Sequence, residues 1–202
     1  MKSHSNILEV DDFQPDYMGF IFYKPSPRYV GDDFEIPRGL NASVNRVGVF
    51  VNEPVDRIIN LCKKHGLSHV QLHGDEPVEI CEQVKASGLS VIKAFGINED
   101  FDFSIVQPYK NATDYFLFDT KGKYYGGNAT AFDWTVLEKY DQETPFLLSG
   151  GLSIQNITDV SRLENMNIHA LDLNSGVETE PGIKDLQKVE QAIELVHKLN
   201  NV

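Results

Sequence analysis

Cysteine is scarce: of 202 residues only Cys62 and Cys81 carry a thiol. Two cysteines cannot build a disulfide scaffold, and such usage fits a reducing cytosol. Positive charge is also short, with 18 Lys and Arg against 30 Asp and Glu, a net charge of -12. That field repels phosphate backbones and anionic lipid, so neither nucleic acid nor a membrane surface is an expected partner. One small anion can still be held by local groups. No apolar run is long enough to span a bilayer, and residues 1–6 lead into acidic sequence with no apolar h-region. A cytoplasmic location is therefore expected. The six histidines are scattered, with no zincin spacing and no cysteine pairs, so no metal is expected.

What is present suits a folded core: 41% of residues are hydrophobic and 24% charged. No linker or low-complexity tract divides the chain, so residues 1–202 are read as one domain. Short apolar, β-rich runs alternate with segments of helical spacing. The runs are 17–23, 46–51, 69–73, 90–95, 115–119, 145–149 and 170–174. They are near-continuous rather than alternating, as strands buried on both faces are. Helices are expected over 5–13, after Asn52-Glu53-Pro54 up to Gly66, and after Asp75-Glu76-Pro77 up to Gly88. Others are expected over 132–140, after a Ser153 cap, and over 185–199. Repeated strand–helix units imply a parallel α/β sheet. A helix followed by seven such units is one strand short of a (βα)8 TIM barrel. The alternative, an open doubly wound sheet, lacks the Gly-rich dinucleotide fingerprint after its first strand.

Barrel chemistry sits at the C-terminal ends of strands. The last two expected strands end in Gly150-Gly151 and Ser175-Gly176. Small residues there let the backbone approach an anion, and these two loops are the usual phosphate site of such barrels. Either pair alone reads equally well as a tight turn. Asp119 ends an otherwise apolar strand. A carboxylate there suits a general acid, and it equally suits a loop-ordering cap. Arg28, in a rigid Pro-Ser-Pro loop, offers a fork for a planar carboxylate. His73 is read by default as a hydrogen-bonded structural residue, and Lys93 as one paired with an acid. Cys62 and Cys81 fall on apolar helix faces, away from every strand end.

In order along the chain, these runs resemble phosphoribosylanthranilate isomerase. They are Gly19-Phe20-Ile21-Phe22-Tyr23, Ser26-Pro27-Arg28-Tyr29, Val47-Gly48-Val49-Phe50-Val51-Asn52, Gln71-Leu72-His73-Gly74 and Ile92-Lys93-Ala94. Gly126-Gly127, Phe132-Asp133-Trp134, Gly150-Gly151-Leu152, Asn174-Ser175-Gly176-Val177-Glu178 and Pro181-Gly182-Ile183-Lys184-Asp185 follow. The resemblance implies a cofactor-free enzyme of tryptophan biosynthesis, an intramolecular oxidoreductase acting on a small phosphorylated substrate. The reaction is the Amadori rearrangement of N-(5-phosphoribosyl)anthranilate to the 1-deoxyribulose phosphate. By that resemblance Asp119 is the general acid and Arg28 holds the anthranilate carboxylate. Asp172 is a substrate-binding aspartate, and Gly150, Gly151, Ser175 and Gly176 take the phosphate.

Two departures stand out. The family's Gly-Gly-(Thr/Ser)-Gly loop reads Gly126-Gly127-Asn128-Ala129 here. The family also opens on a strand of the form Lys-(Ile/Val)-Cys-Gly, whose cysteine is the general base, and Met1 matches the methionine that follows it. The expectation is a barrel without its first strand or its base. Such a chain would be destabilised, nearly inactive and open to edge-mediated association, whereas the intact family fold is expected to be monomeric. A misplaced start codon would explain it. Another phosphate-binding barrel enzyme, such as an indole-glycerol-phosphate synthase or a sugar-phosphate epimerase, would need further catalytic Lys and Glu or a metal cluster. A non-catalytic phosphate-ligand-binding barrel is the alternative from a different class.

Overall fold

The computed structural model describes residues 1–120 and 134–199. The Gly126–Ala129 departure lies outside them. The helix α1 (His4–Asp11) leads into β1 (Tyr17–Ile21) and β2 (Asn45–Phe50). Then come α2 (Val55–His65), β3 (His69–Leu72), α3 (Val78–Ala86), β4 (Ser90–Ile97), β5 (Tyr115–Thr120), β6 (Phe146–Ser149) and β7 (Ile168–Leu171). A short antiparallel pair, β8 (Glu178–Glu180) and β9 (Ile183–Lys184), precedes α4 (Leu186–Leu199). The seven strands β1 to β7 form one sheet in chain order, parallel throughout. Each crossover therefore steps the same way. Right-handed twist then curls the sheet toward closure instead of opening it in two directions.

Two edges face one another. The Tyr17 hydroxyl, at the start of β1, lies 2.7 Å from Nε2 of His169 on β7, a contact spanning 152 residues. Tyr17 also packs edge-on against His69, and Tyr115 stacks on His169 with ring centroids 4.2 Å apart. Four rings from β1, β3, β5 and β7 thus make one layer at the N-terminal end of the sheet. Layers built from alternate strands are how barrels fill. Above this layer the inner face carries Val47, Ile92, Ala94, Leu117 and Leu147. The outer face is larger. Phe116, Phe118, Phe146 and Leu148 pack with Phe103, Leu137 and Tyr140, while Phe20, Phe50, Val70 and Leu72 pack under α1 to α3 with Ile7, Ile58, Cys62 and Cys81. Each such side chain contributes about 1.5–3 kcal/mol of burial.

The expected helices after 52–54 and 75–77 form, starting behind Pro54 and Pro77. Gly66 closes α2 with φ 61°, the left-handed turn that glycine adopts without penalty. Three crossovers are not α-helical, two of them where a helix was expected. Phe103–Tyr109, Trp134–Lys139 and Ile157–Leu163 are 3-10 helices. Pro108 interrupts the first, and the third packs Ile157, Thr158 and Val160 into one short turn, where β-branching disfavours an α-helix. Ser153 does not cap this last helix, which begins four residues later behind Asn156. The last main strand is Ile168–Leu171 rather than 170–174. It pairs only with β6, and after the Asp172 N–H donates to the Leu148 carbonyl at 2.8 Å the chain turns away at Asn174 (ψ -91°). No described helix is long and apolar enough to cross a membrane.

Candidate active site

One cavity of about 1480 Å³ opens at the C-terminal end of the sheet and runs down between β1 and β7. Its lining includes Arg28, His73, Asp119, Gly150, Gly151 and Asp172, with Ser149, Ser175 and Lys184 beside them. Residues as far apart in sequence as Arg28 and Lys184 are thus gathered at one mouth. The parallel order does this, because every strand points the same way and delivers its last residue to the same rim.

Asp119, near the end of β5, is about a quarter exposed, and its Oδ2 lies 3.7 Å from Nε2 of His73. The buried Gln71 donates from Nε2 to Nδ1 of His73 at 2.7 Å. An amide nitrogen can only donate, so Nδ1 accepts and the neutral ring carries its proton on Nε2, facing Asp119. Asp172 is the second carboxyl at the mouth. Its Oδ2 accepts from the Ser149 hydroxyl at 2.9 Å. Burial pushes its pKa above the usual carboxylate range, and the Ser149 bond only partly opposes that.

Arg28 reaches Glu178 with a bidentate fork: Nε to both carboxylate oxygens at 3.0 and 2.9 Å, and Nη2 to Oε2 at 2.7 Å. Burial raises Glu178, but the Arg28 fork, the Lys184 charge and the Gly182 N–H outweigh it and hold the carboxyl below its ordinary range. Glu178 is the residue that charge patterning missed. It stands in the Asn174–Glu178 run, yet no short-range pattern joins it to an arginine 150 residues earlier.

The two glycine loops are built by close approach. Gly150 has φ 95°, and a Cβ there would lie 2.1 Å from the Thr120 carbonyl oxygen. Thr120 donates its hydroxyl to the carbonyls of Ser149 and Gly150 at 2.9 and 3.0 Å, tying the ends of β5 and β6 together. A Cβ on Gly176 would lie 2.1 Å from the Leu152 carbonyl oxygen, so the loops after β6 and β7 press backbone on backbone. Gly151, at φ 67°, faces open space.

A family model described as N-(5'phosphoribosyl)anthranilate (PRA) isomerase matches residues 1–195. The chain belongs to the phosphoribosylanthranilate isomerase family. The isomerase of Phocaeicola vulgatus is 42% identical over 185 residues, 92% of this chain and 89% of that protein. That of Parabacteroides distasonis is 38% identical over 199 residues, 97% and 90% of the two chains. Among solved structures, the phosphoribosyl anthranilate isomerase of Thermotoga maritima superposes with a TM-score of 0.83 at 32% identity, over 98% of this chain and 96% of that one. A phosphoribosyl anthranilate isomerase in complex with reduced 1-(o-carboxyphenylamino)-1-deoxyribulose 5-phosphate superposes with a TM-score of 0.81 at 30% identity, covering 98% and 95%. The curled parallel sheet described above is therefore the architecture of isomerase structures.

One residue of the isomerase-like runs sits elsewhere. Lys93 alternates with the inward Ile92 and Ala94, so it points to the outer face. There its ammonium, 2% exposed, donates to Glu76 at 3.1 Å and to the carbonyls of Leu72, Gly74 and Ala94. It is an acid-paired lysine, as expected. Glu76 in turn accepts from the Asn52 and Gly74 N–H groups, so the pair fixes the loops after β2 and β3. Cys62 and Cys81 are buried on α2 and α3. Burial pushes their thiols up to about 12 and about 11, which leaves neither available as a thiolate.

Proposed function

We propose that this mouth carries out the Amadori rearrangement of N-(5-phosphoribosyl)anthranilate to 1-(2-carboxyphenylamino)-1-deoxyribulose 5-phosphate, in tryptophan biosynthesis. The observation that carries the proposal is the single cavity holding Asp119, Arg28, Asp172 and both glycine loops. In this reading Asp119 gives its proton to the ribose ring oxygen. The C1'–O bond breaks and the anilino nitrogen supplies the electrons, leaving an iminium ion. Loss of the C2' proton to a base gives an enolamine, which becomes the ketone. His73 stands beside Asp119, its Nε2 3.7 Å from Oδ2. Arg28, steadied by Glu178, directs Nη1 at the anthranilate carboxylate. Asp172, held by the Ser149 hydroxyl, hydrogen-bonds a sugar hydroxyl. Gly150, Gly151, Ser175 and Gly176 receive the phosphate against backbone N–H groups.

The base has no candidate among the two cysteines. The family resemblance puts it on a strand of a closed (βα)8 barrel, and such a strand would fit between β1 and β7: both are parallel, and among the described residues neither pairs with a further strand on that side, although the Met1 ammonium donates to the Gly19 carbonyl on β1 at 2.7 Å. We propose that this strand completes the site and that turnover is slow without it. The test is growth of an isomerase-deficient tryptophan auxotroph. Rescue by the chain joined to a cysteine-bearing N-terminal strand, and failure when Asp119 is also Asn, is the expected result. No rescue by any form would overturn the proposal.

A further inference from the structure

Lys184 is used by none of the roles above, yet it sits at the rim between the two ends of the proposed substrate. It lines the mouth cavity. Its side chain is only 10% exposed, and burial lowers its pKa, with Glu178 opposing. An ammonium has three donors, and all three are taken. Nζ donates to the Asn174 carbonyl at 2.9 Å, to the Asn174 side-chain oxygen at 3.0 Å and to Glu178 at 3.3 Å. Lys184 therefore has no free donor for substrate. What it touches is informative. Asn174 begins the short turn Ser175–Val177, the phosphate loop. Glu178 is the carboxylate that holds the Arg28 fork.

The lysine is itself held from below. Asn6 on α1 uses both ends of its amide on the Lys184 backbone: Nδ2 donates to the carbonyl at 2.9 Å, and Oδ1 accepts from the N–H at 2.7 Å. The Gly182 N–H adds a bond to Glu178 at 3.1 Å. One connected network thus runs from the first helix to the phosphate loop and to the carboxylate anchor.

We infer that Lys184 is a positioning residue that sets the phosphate loop and the Arg28 anchor at a fixed separation, so that one side chain governs affinity at both ends of the substrate. The inference rests on the isomerase reading of the mouth. A lysine that merely filled space would leave both affinities alone. One that acted as a bare positive charge would act on anthranilate whether or not Glu178 is ionised.

The experiment measures affinity for inorganic phosphate and for anthranilate separately, by ligand titration of the full chain. Lys184→Met is expected to weaken each by on the order of tenfold, measured at a temperature where the variant stays fully folded. In a Glu178→Gln background, Lys184→Met should still weaken phosphate but change anthranilate affinity no further, because the route to Arg28 is already cut. Should Lys184→Met not fold, Lys184→Gln runs the same comparison. Loss at only one end, loss at neither, or an anthranilate loss that adds fully to that of Glu178→Gln would each overturn the inference. If the unaltered chain binds neither phosphate nor anthranilate, the isomerase reading fails first and this one with it.

Discussion

Asp119 and Asp172 are two carboxyls at one mouth with different surroundings. Asp119 faces His73 and keeps contact with solvent. Asp172 is crowded, hydrogen-bonded to Ser149 and held above its usual range. That division suits a proton donor that must be reloaded from water beside a carboxyl that orients substrate. Asp119→Asn should therefore lower kcat by about 10²–10⁴-fold while leaving affinity for the reduced product analogue nearly unchanged, checked by steady-state kinetics and calorimetry. Arg28→Lys should instead raise KM. A lysine keeps the charge but cannot fork onto Glu178 and still present a second donor. That Asp119 and Arg28 reach the mouth was legible in the sequence, the first from the end of a strand run and the second from the rigid loop that follows one. Glu178, Lys184 and Gln71 were not, because their partners come from the far side of the fold or from a hydrogen bond that no spacing encodes.

The elements divide in the same way. Strands buried on both faces announce themselves as continuous apolar runs, and all seven expected ones form. The crossovers after β4, β5 and β6 were not legible as 3-10 helices, because a short apolar turn has too few residues to show its period. The glycine loops separate backbone geometry from packing. Gly150→Ala would drive a methyl to 2.1 Å from a carbonyl oxygen at φ 95°. Gly151→Ala meets nothing and bears only the left-handed backbone at φ 67°. Urea melts should show about 1–2 kcal/mol lost for Gly151→Ala and clearly more for Gly150→Ala. The buried Lys93–Glu76 pair is the other lever on the upper loops. Lys93→Met strands Glu76 at 2% exposure, and the same melts should register a loss of about 3–5 kcal/mol.

At the scale of the whole molecule, the seven-stranded sheet curls until its edges touch through the Tyr17–His169 contact. His69 and His169 sit in the ring layer there, and burial lowers the pKa of both below 6.5. As pH falls through about 6.5, the unfolded chain takes up protons that the folded chain refuses. Their contribution is therefore complete above that pH and is lost below it. The raised pKa of Asp172 acts in the opposite sense at lower pH. The comparison is thus with His69→Gln/His169→Gln, whose melting temperature should fall less than that of the unaltered chain between pH 7.5 and pH 5.5. Parallel order, curl and the gathering of strand ends were all implied by counting β–α units. The cavity that runs between β1 and β7 became visible only when the two edges were placed.

We propose that this mouth is an isomerase site completed by a strand-borne base. The most direct measurement is turnover of N-(5-phosphoribosyl)anthranilate by the chain alone and by the chain joined to an N-terminal β-strand bearing cysteine. The expected result is slow conversion alone and a large gain with the strand. That gain should vanish when the strand's cysteine is replaced by alanine or when Asp119 is replaced by Asn. Equal rates with and without the cysteine, or no conversion by the joined chain, would contradict it.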